Sequence, residues 1–249
     1  MKRAAFVTGG ASGIGLSICR HLSRAGHDIV IADYNGDAAE DAAKSIRDGG
    51  GRAMAVTVDV SDRSQVDKAV EAARGEFGPV GILVTSAALS RREPLEQISA
   101  ESWEQIIGVN LTGTFHCVQA VVGDMTAAGW GRVVLISSSS AQRGASGMTH
   151  YAASKGGVIA FGKALALEFA KRGVTVNNIA PSVVETPMVE QQRAAGAVPS
   201  REKMAAGVPV GRMGTGDDIA AACMYLVSEE ASYFTGQTVS VNGGSFVGW

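Results

Sequence analysis

Seven short runs, Ala4 to Thr8, Asp28 to Ala32, Ala53 to Val58, Val80 to Thr85, Arg132 to Ser137, Val174 to Ile179 and Thr238 to Asn242, alternate with segments of helical spacing along the chain. Each run is nearly continuous in apolar residues, the pattern of a strand covered on both faces. Between them apolar residues recur at three and four positions, as in Ile14, Ile18 and Leu22, in Ala42 and Ile46, and in Val66, Ala69, Val70 and Ala73. The alternation predicts an α/β fold, a doubly wound parallel sheet of seven strands with helices on both faces. Ligands of such sheets bind beyond the carboxyl ends of the strands, where the winding reverses. Residues at strand ends therefore carry the functional argument.

A length of 249 residues with 46% hydrophobic content suits one continuous core, so residues 1–249 are expected to form a single domain. Only the stretch from Thr186 to Pro209, with Gly196, Pro199, Gly207 and Pro209, reads as a long irregular segment, and residues 186–209 are expected to form a substrate lid. With 22 basic and 24 acidic residues the net charge is −2, a balance that predicts small-molecule partners and no nucleic acid or membrane surface. Cys19, Cys117 and Cys223 are far apart and lack metal-ligand spacing, so no metal site or disulfide framework is expected and a reducing cytoplasmic location fits. The apolar stretch after Arg3 ends by Val7, too short for a signal peptide, and the expectation is a soluble, unprocessed chain.

The first strand runs into Thr8-Gly9-Gly10-Ala11-Ser12-Gly13-Ile14-Gly15 and then a helical pattern to Ala25. Glycines there let backbone N–H groups approach a pyrophosphate, whose charge the helix N-terminus favours. The second strand ends at Asp33, 18 residues after Gly15, near the separation expected of a carboxylate that accepts hydrogen bonds from an adenosine ribose. Such a carboxylate repels a 2′-phosphate, and Ser12, Tyr34 and Asn35 offer no cation to offset it. The expected cofactor is NAD. Tyr151 and Lys155 lie four apart at the start of a helical pattern, Val158, Phe161, Leu165 and Phe169, and so share one helical face. An ammonium near a phenol favours phenolate and lowers its pKa, which suits proton exchange with an alcohol.

Together these motifs resemble the short-chain dehydrogenase/reductase family over essentially the whole chain. Thr8 to Gly15 matches its T-G-x-x-x-G-x-G pattern, Tyr151-Ala-Ala-Ser-Lys155 its Y-x-x-x-K, and Ser138 stands thirteen residues before the tyrosine. The resemblance implies a Rossmann-type fold and a tetrad: Tyr151 as general acid/base, Lys155 lowering its pKa and holding the nicotinamide ribose, Ser138 bonding the reacting oxygen, and Asn110 positioning a water in a relay to Lys155. Ser137, Ser139 and Ser140 are left as loop serines. It further implies cofactor contacts from Gly9, Ser12, Gly13, Ile14, Gly15 and Asp33, from Asp59 and Val60 after the third strand, from Ala87, and from Pro181, Val184 and Thr186 in a segment like P-G-x-x-x-T. Two departures stand out. Thr85-Ser86-Ala87-Ala88 replaces the common Asn-Asn-Ala-Gly, which puts strand-end geometry in question, and Ser182 replaces a glycine, removing freedom to adopt positive φ.

The resemblance implies an NAD-dependent oxidoreductase interconverting a secondary alcohol and its ketone. The alternatives are an NADPH-dependent 3-oxoacyl-thioester reductase and a non-catalytic dinucleotide-binding sensor. Assembly as a homotetramer is implied too, with the stripe Gly156, Gly157, Ala160 and Ala164, and Phe246 and Trp249, as candidate contacts. His150 reads as a packing or rim residue, Arg91, Arg92, Arg143 and Arg193 as solvated loop cations with Arg143 the best placed for an anionic substrate, and Glu185 as a pocket or surface acid.

Overall fold

The structure is a computed structural model that describes residues 2–248; Trp249, a candidate subunit contact, lies outside them. The seven strands are β1 (Ala4–Thr8), β2 (Asp28–Asp33), β3 (Arg52–Thr57), β4 (Val80–Thr85), β5 (Gly131–Ile136), β6 (Val174–Ile179) and β7 (Thr238–Val239). All pair in parallel, in the order β3-β2-β1-β4-β5-β6-β7. This is the Rossmann-type sheet that the sequence predicts, except that β7 pairs over two residues and not five.

The strands read as continuous apolar runs because each feeds two cores. Ala5, Val7, Ile29 and Ile31 point to one face, packed by helices α1 (Gly13–Arg24) and α2 (Gly36–Asp48). Phe6, Val30 and Ala32 point to the other, packed by α3 (Arg63–Phe77). The helix starts follow from capping side chains: Asn35 accepts from the Ala38 amide, Asp62 from Ser64 and Gln65, and Ser99 from Ser102 at the start of α4 (Ala100–Ile107). A π turn, Gly108–Thr112, joins α4 to α5 (Gly113–Ala127). The 28-residue rod Ala100–Ala127 contains an 18-residue stretch of mean hydropathy 1.3, enough in length and composition to cross a bilayer. Here Cys117, Val118, Val121 and Met125 of α5 belong to the core under the sheet. Burial pushes the Cys117 and Cys223 thiols up to about 12, so these are core side chains and not nucleophiles.

Next come α6 (Ser140–Arg143) and α7 (Thr149–Phe169), the long helix predicted around Tyr151. On it Gly157 packs against Leu111 of the same chain, whereas a Cβ on Gly156 would meet open space. The segment expected to be an irregular lid is largely helical, with α8 (Pro187–Ala194) and α9 (Arg201–Ala206). Thr186 caps α8 by accepting from the Val189 amide and Pro187 fits its first turn, while Ser200 caps α9. Helix α10 (Gly216–Val227) starts with a capping box, Thr215 with Asp218, and packs on α1.

Sheet order reverses between β1 and β4, where crossovers leave in opposite directions and a crevice opens. The Thr85 to Ala88 departure falls here. The fully buried Thr8 hydroxyl accepts from the amides of Ser86 (3.1 Å) and Ala87 (3.2 Å), so the β1 side chain holds the β4 end in place. The Thr85 hydroxyl is buried with no partner among the described residues. Thr8→Val is therefore expected to cost about 1 kcal/mol in urea unfolding, because the Ala87 N–H loses its acceptor while the Ser86 N–H keeps the Thr8 carbonyl, and Thr85→Val to stay within about 0.5 kcal/mol of the parent. Equal effects from the two substitutions would contradict this assignment.

Candidate active site

A cleft of about 800 Å³ opens over the β1–β4 reversal. Its near wall is the first turn, where Gly9 sits at φ +62° and a Cβ would lie 2.8 Å from the Ala87 backbone. Gly15 packs directly on the Gly9 carbonyl and leaves no room for a side chain. The α1 N-terminus, whose cap Ser12 is extended and makes no side-chain cap bond, thus faces the cleft with free amides. That is the chemistry of a pyrophosphate cradle, and the residues fit a dinucleotide. Gly9, Ser12, Gly13 and Ile14 line the cleft, while Gly15, expected among the cofactor contacts, lies behind the turn and acts by allowing its close packing.

At one end stands Asp33. Its Oδ2 accepts from the Ala11 amide and its Oδ1 from the Asn35 amide, both at 3.0 Å, which fixes the carboxylate at the cleft wall with lone pairs to spare. Asp59 and Val60 lie beside it, and Asp59 Oδ1 also accepts from the Ser61 amide and hydroxyl. His116 is held by the Val60 carbonyl through Nδ1. Among the described residues Lys155 is the sole Lys or Arg on the wall, against Asp33, Asp59 and Glu104.

At the other end Ser138, Tyr151 and Lys155 come together from the end of β5 and the first turns of α7. Lys155 is 2% exposed, and its Nζ donates to the Ile136 carbonyl at 2.8 Å. Burial pushes this ammonium down to about 8. Burial also pushes the Tyr151 phenol above its ordinary value, opposed by the Ser138 hydroxyl against it. The Lys155 ammonium is turned to the Ile136 carbonyl and is not among the groups that shift the phenol here.

Asn110 is buried but does not line the cleft. Its Oδ1 accepts from the Leu89 amide (2.8 Å), its Nδ2 donates to the Leu89 carbonyl (2.9 Å) and to Ser154 Oγ (3.0 Å), and its own carbonyl accepts from Thr114 Oγ1. The side chain is a clamp on the connection after β4, and the water-positioning role implied by the resemblance would have to come from elsewhere on the residue. Pro181, Val184 and Thr186 line the cleft, as does Ala87. Ser182 adopts no positive φ, so the lost glycine leaves no backbone strain. Arg91 bonds Ser102 and Gln105, Arg92 bonds the Ser146 carbonyl, Glu185 pairs with Arg201 at 2.7 Å, and Arg143 is exposed and outside the wall. Met188 and Val189 of α8 also line the cleft; they fall within the expected lid segment 186–209, which sequence reading took for an irregular stretch without singling them out.

A family model described as enoyl-(acyl carrier protein) reductase matches residues 9–245. The chain is 36% identical over 249 residues, 99% of both chains, to an acetoacetyl-CoA reductase of Rhizobium meliloti. It is 38% identical over 246 residues, 98% of both chains, to the 3-oxoacyl-[acyl-carrier-protein] reductase FabG of Salmonella typhimurium. Among solved structures, a variant of the actinorhodin polyketide ketoreductase with NADPH superposes with a TM-score of 0.95 at 33% identity, covering 98% of this chain and 97% of that one.

The buried ammonium gives a stability prediction. Below pH 8 Lys155 is charged in both folded and unfolded chains and its desolvation penalty is fully present; from pH 8 to about 10.5 the folded chain sheds the proton and the penalty fades. Lys155→Met is expected to be more stable than the parent at pH 7 by up to about 3 kcal/mol. The gain should shrink towards zero by pH 10.5. Thermal melts across this range check it, and a gain that grows with pH would contradict it.

Proposed function

The chain belongs to the short-chain dehydrogenase/reductase family, and we propose that it reduces the 3-oxo group of an acyl thioester with a nicotinamide dinucleotide. The observation that carries this reading is the pair of hydroxyls, Ser138 and Tyr151, beside a buried ammonium in the cleft. Two O–H donors converging at one place suit an oxygen that starts as a carbonyl and ends as a hydroxyl. The substrate class is supported by full-length likeness to acetoacetyl-CoA and 3-oxoacyl-[acyl-carrier-protein] reductases.

The residues divide the work. Backbone amides at Ser12, Gly13 and Ile14 hold the pyrophosphate, Asp33 and Asp59 the adenosine, and Val184 and Thr186 the nicotinamide end. The bound dinucleotide supplies the hydride. Ser138 donates to the carbonyl oxygen and orients it. Tyr151, a phenol and so protonated at neutral pH, gives its proton to that oxygen as negative charge develops there. Lys155, one helical turn along, stabilises the phenolate left behind. Residues 186–209 cover the substrate side, with Met188 and Val189 presenting apolar surface to it.

A second reading, NAD-dependent interconversion of a secondary alcohol and its ketone, is favoured by Asp33. A carboxylate with no Arg or Lys near that end of the wall favours ribose hydroxyls over a 2′-phosphate. The NADPH in the actinorhodin ketoreductase structure points the other way. Titration with NADH and NADPH in parallel separates the cofactor question from the substrate question: NADH is expected to bind at least about tenfold tighter, a difference of about 1.4 kcal/mol, and Asp33→Ser to narrow the gap. A gap that Asp33→Ser leaves unchanged would remove Asp33 from the discrimination.

Acetoacetyl-CoA is the probe for the reaction itself. Its reduction, followed by loss of nicotinamide absorbance, is expected to fall by about 10²–10⁴-fold in Tyr151→Phe with dinucleotide affinity retained. Should the parent leave acetoacetyl-CoA untouched while oxidising simple secondary alcohols with NAD⁺, the second reading replaces the first.

A further inference from the structure

His150, next to the catalytic tyrosine, is fully buried and not a rim residue. Its Nε2 lies 3.1 Å from Oε2 of Glu93, in the connection from β4 to α4. That carboxylate oxygen also accepts from the Ser102 hydroxyl at 2.5 Å, and Arg91 donates to Ser102 Oγ at 3.1 Å. The Glu93 amide donates to the Gly147 carbonyl at 2.7 Å. Residues 91–93 are thereby tied at once to α4 and to the segment that begins α7. The other end of the connection is held at Leu89 by Asn110, and Ser90 between them meets Gln192 of α8.

Packing alone does not account for a histidine here. Its Nδ1 is buried with no partner among the described residues, a desolvation cost that an apolar side chain of similar volume would avoid. What the imidazole supplies is the Nε2–H donor to a carboxylate. Ser102 and then His150 hold the Glu93 carboxyl below the usual range, consistent with an ionised acceptor in this bond.

We propose that Glu93 and His150 are a positioning pair: their bond fixes the connection 89–93 to the first turn of the catalytic helix and so sets the substrate wall facing Tyr151. The inference rests on the reading of Tyr151 as proton donor. Loss of the bond frees the wall without touching the dinucleotide cradle, so the effect falls on substrate affinity.

The test uses His150→Leu, Glu93→Ala, the double variant and Glu93→Gln in the full chain, with acetoacetyl-CoA as substrate. The expected result is a KM raised about tenfold, kcat within about threefold and dinucleotide affinity unchanged. The double variant should be no worse than either single, as for two ends of one bond, and Glu93→Gln, which keeps an acceptor oxygen, should stay near the parent. Amide hydrogen exchange over residues 86–98 should quicken in His150→Leu while the 8–15 turn is unaffected. An unchanged KM, additive effects, or a joint loss of kcat, dinucleotide binding and melting temperature would overturn the proposal. If the parent does not turn over acetoacetyl-CoA, the functional reading fails and the exchange data alone decide: quicker exchange at 86–98 supports the pair, unchanged exchange overturns it.

Discussion

The Thr8 hydroxyl accepting from the amides of Ser86 and Ala87 ties β1 to β4 at the one place where the sheet has no crossover to hold it closed. Everything that defines the cleft is hung from this junction. Gly9 can approach the Ala87 backbone only because β1 and β4 are locked in register there, and Gly15 can pack on Gly9 only because that turn is tight. The α1 amides then point into the crevice instead of into the core, and their partial positive charge becomes available to an anion. The Thr8 hydroxyl, together with the backbone ladder and the Thr8 carbonyl that accepts from Ser86, thus holds the junction over which the site opens.

The opposite end of the cleft is built by desolvation. Burial of Lys155 under the β5 end, with a single carbonyl partner, keeps its proton loosely held, and burial raises the Tyr151 phenol while the Ser138 hydroxyl against it opposes the rise. The buried ammonium costs stability at neutral pH, and its lowered pKa poises it for proton exchange. Glu93, His150, Ser102 and Asn110 lie one layer further out and govern where the substrate wall sits relative to the Tyr151 phenol.

Much of this was legible in the sequence because it is local. Strand positions follow from unbroken apolar runs, the cradle from glycines between a strand and a helix, and the shared face of Tyr151 and Lys155 from their spacing. The misreadings have physical causes. Thr186 and Ser200 are caps, but the glycines and prolines around them masked two short helices. The Asn110 clamp on Leu89 and the Glu93–His150 bond join residues 21 and 57 positions apart, and no local pattern marks either. Thr8 was legible as the start of the glycine motif, but the bonds of its hydroxyl to amides 78 and 79 positions away were not.

The most direct measurement is a crystal structure of the protein with a nicotinamide dinucleotide and acetoacetyl-CoA in Tyr151→Phe, where turnover is slow enough to trap the pair. The account predicts the 3-oxo oxygen within hydrogen-bond distance, about 3 Å, of Ser138 Oγ and pointing at the ring position that carries the hydroxyl in the parent, with the adenosine ribose on Asp33. A ketone oxygen away from Ser138, or a dinucleotide lying outside the 8–15 turn, would contradict it.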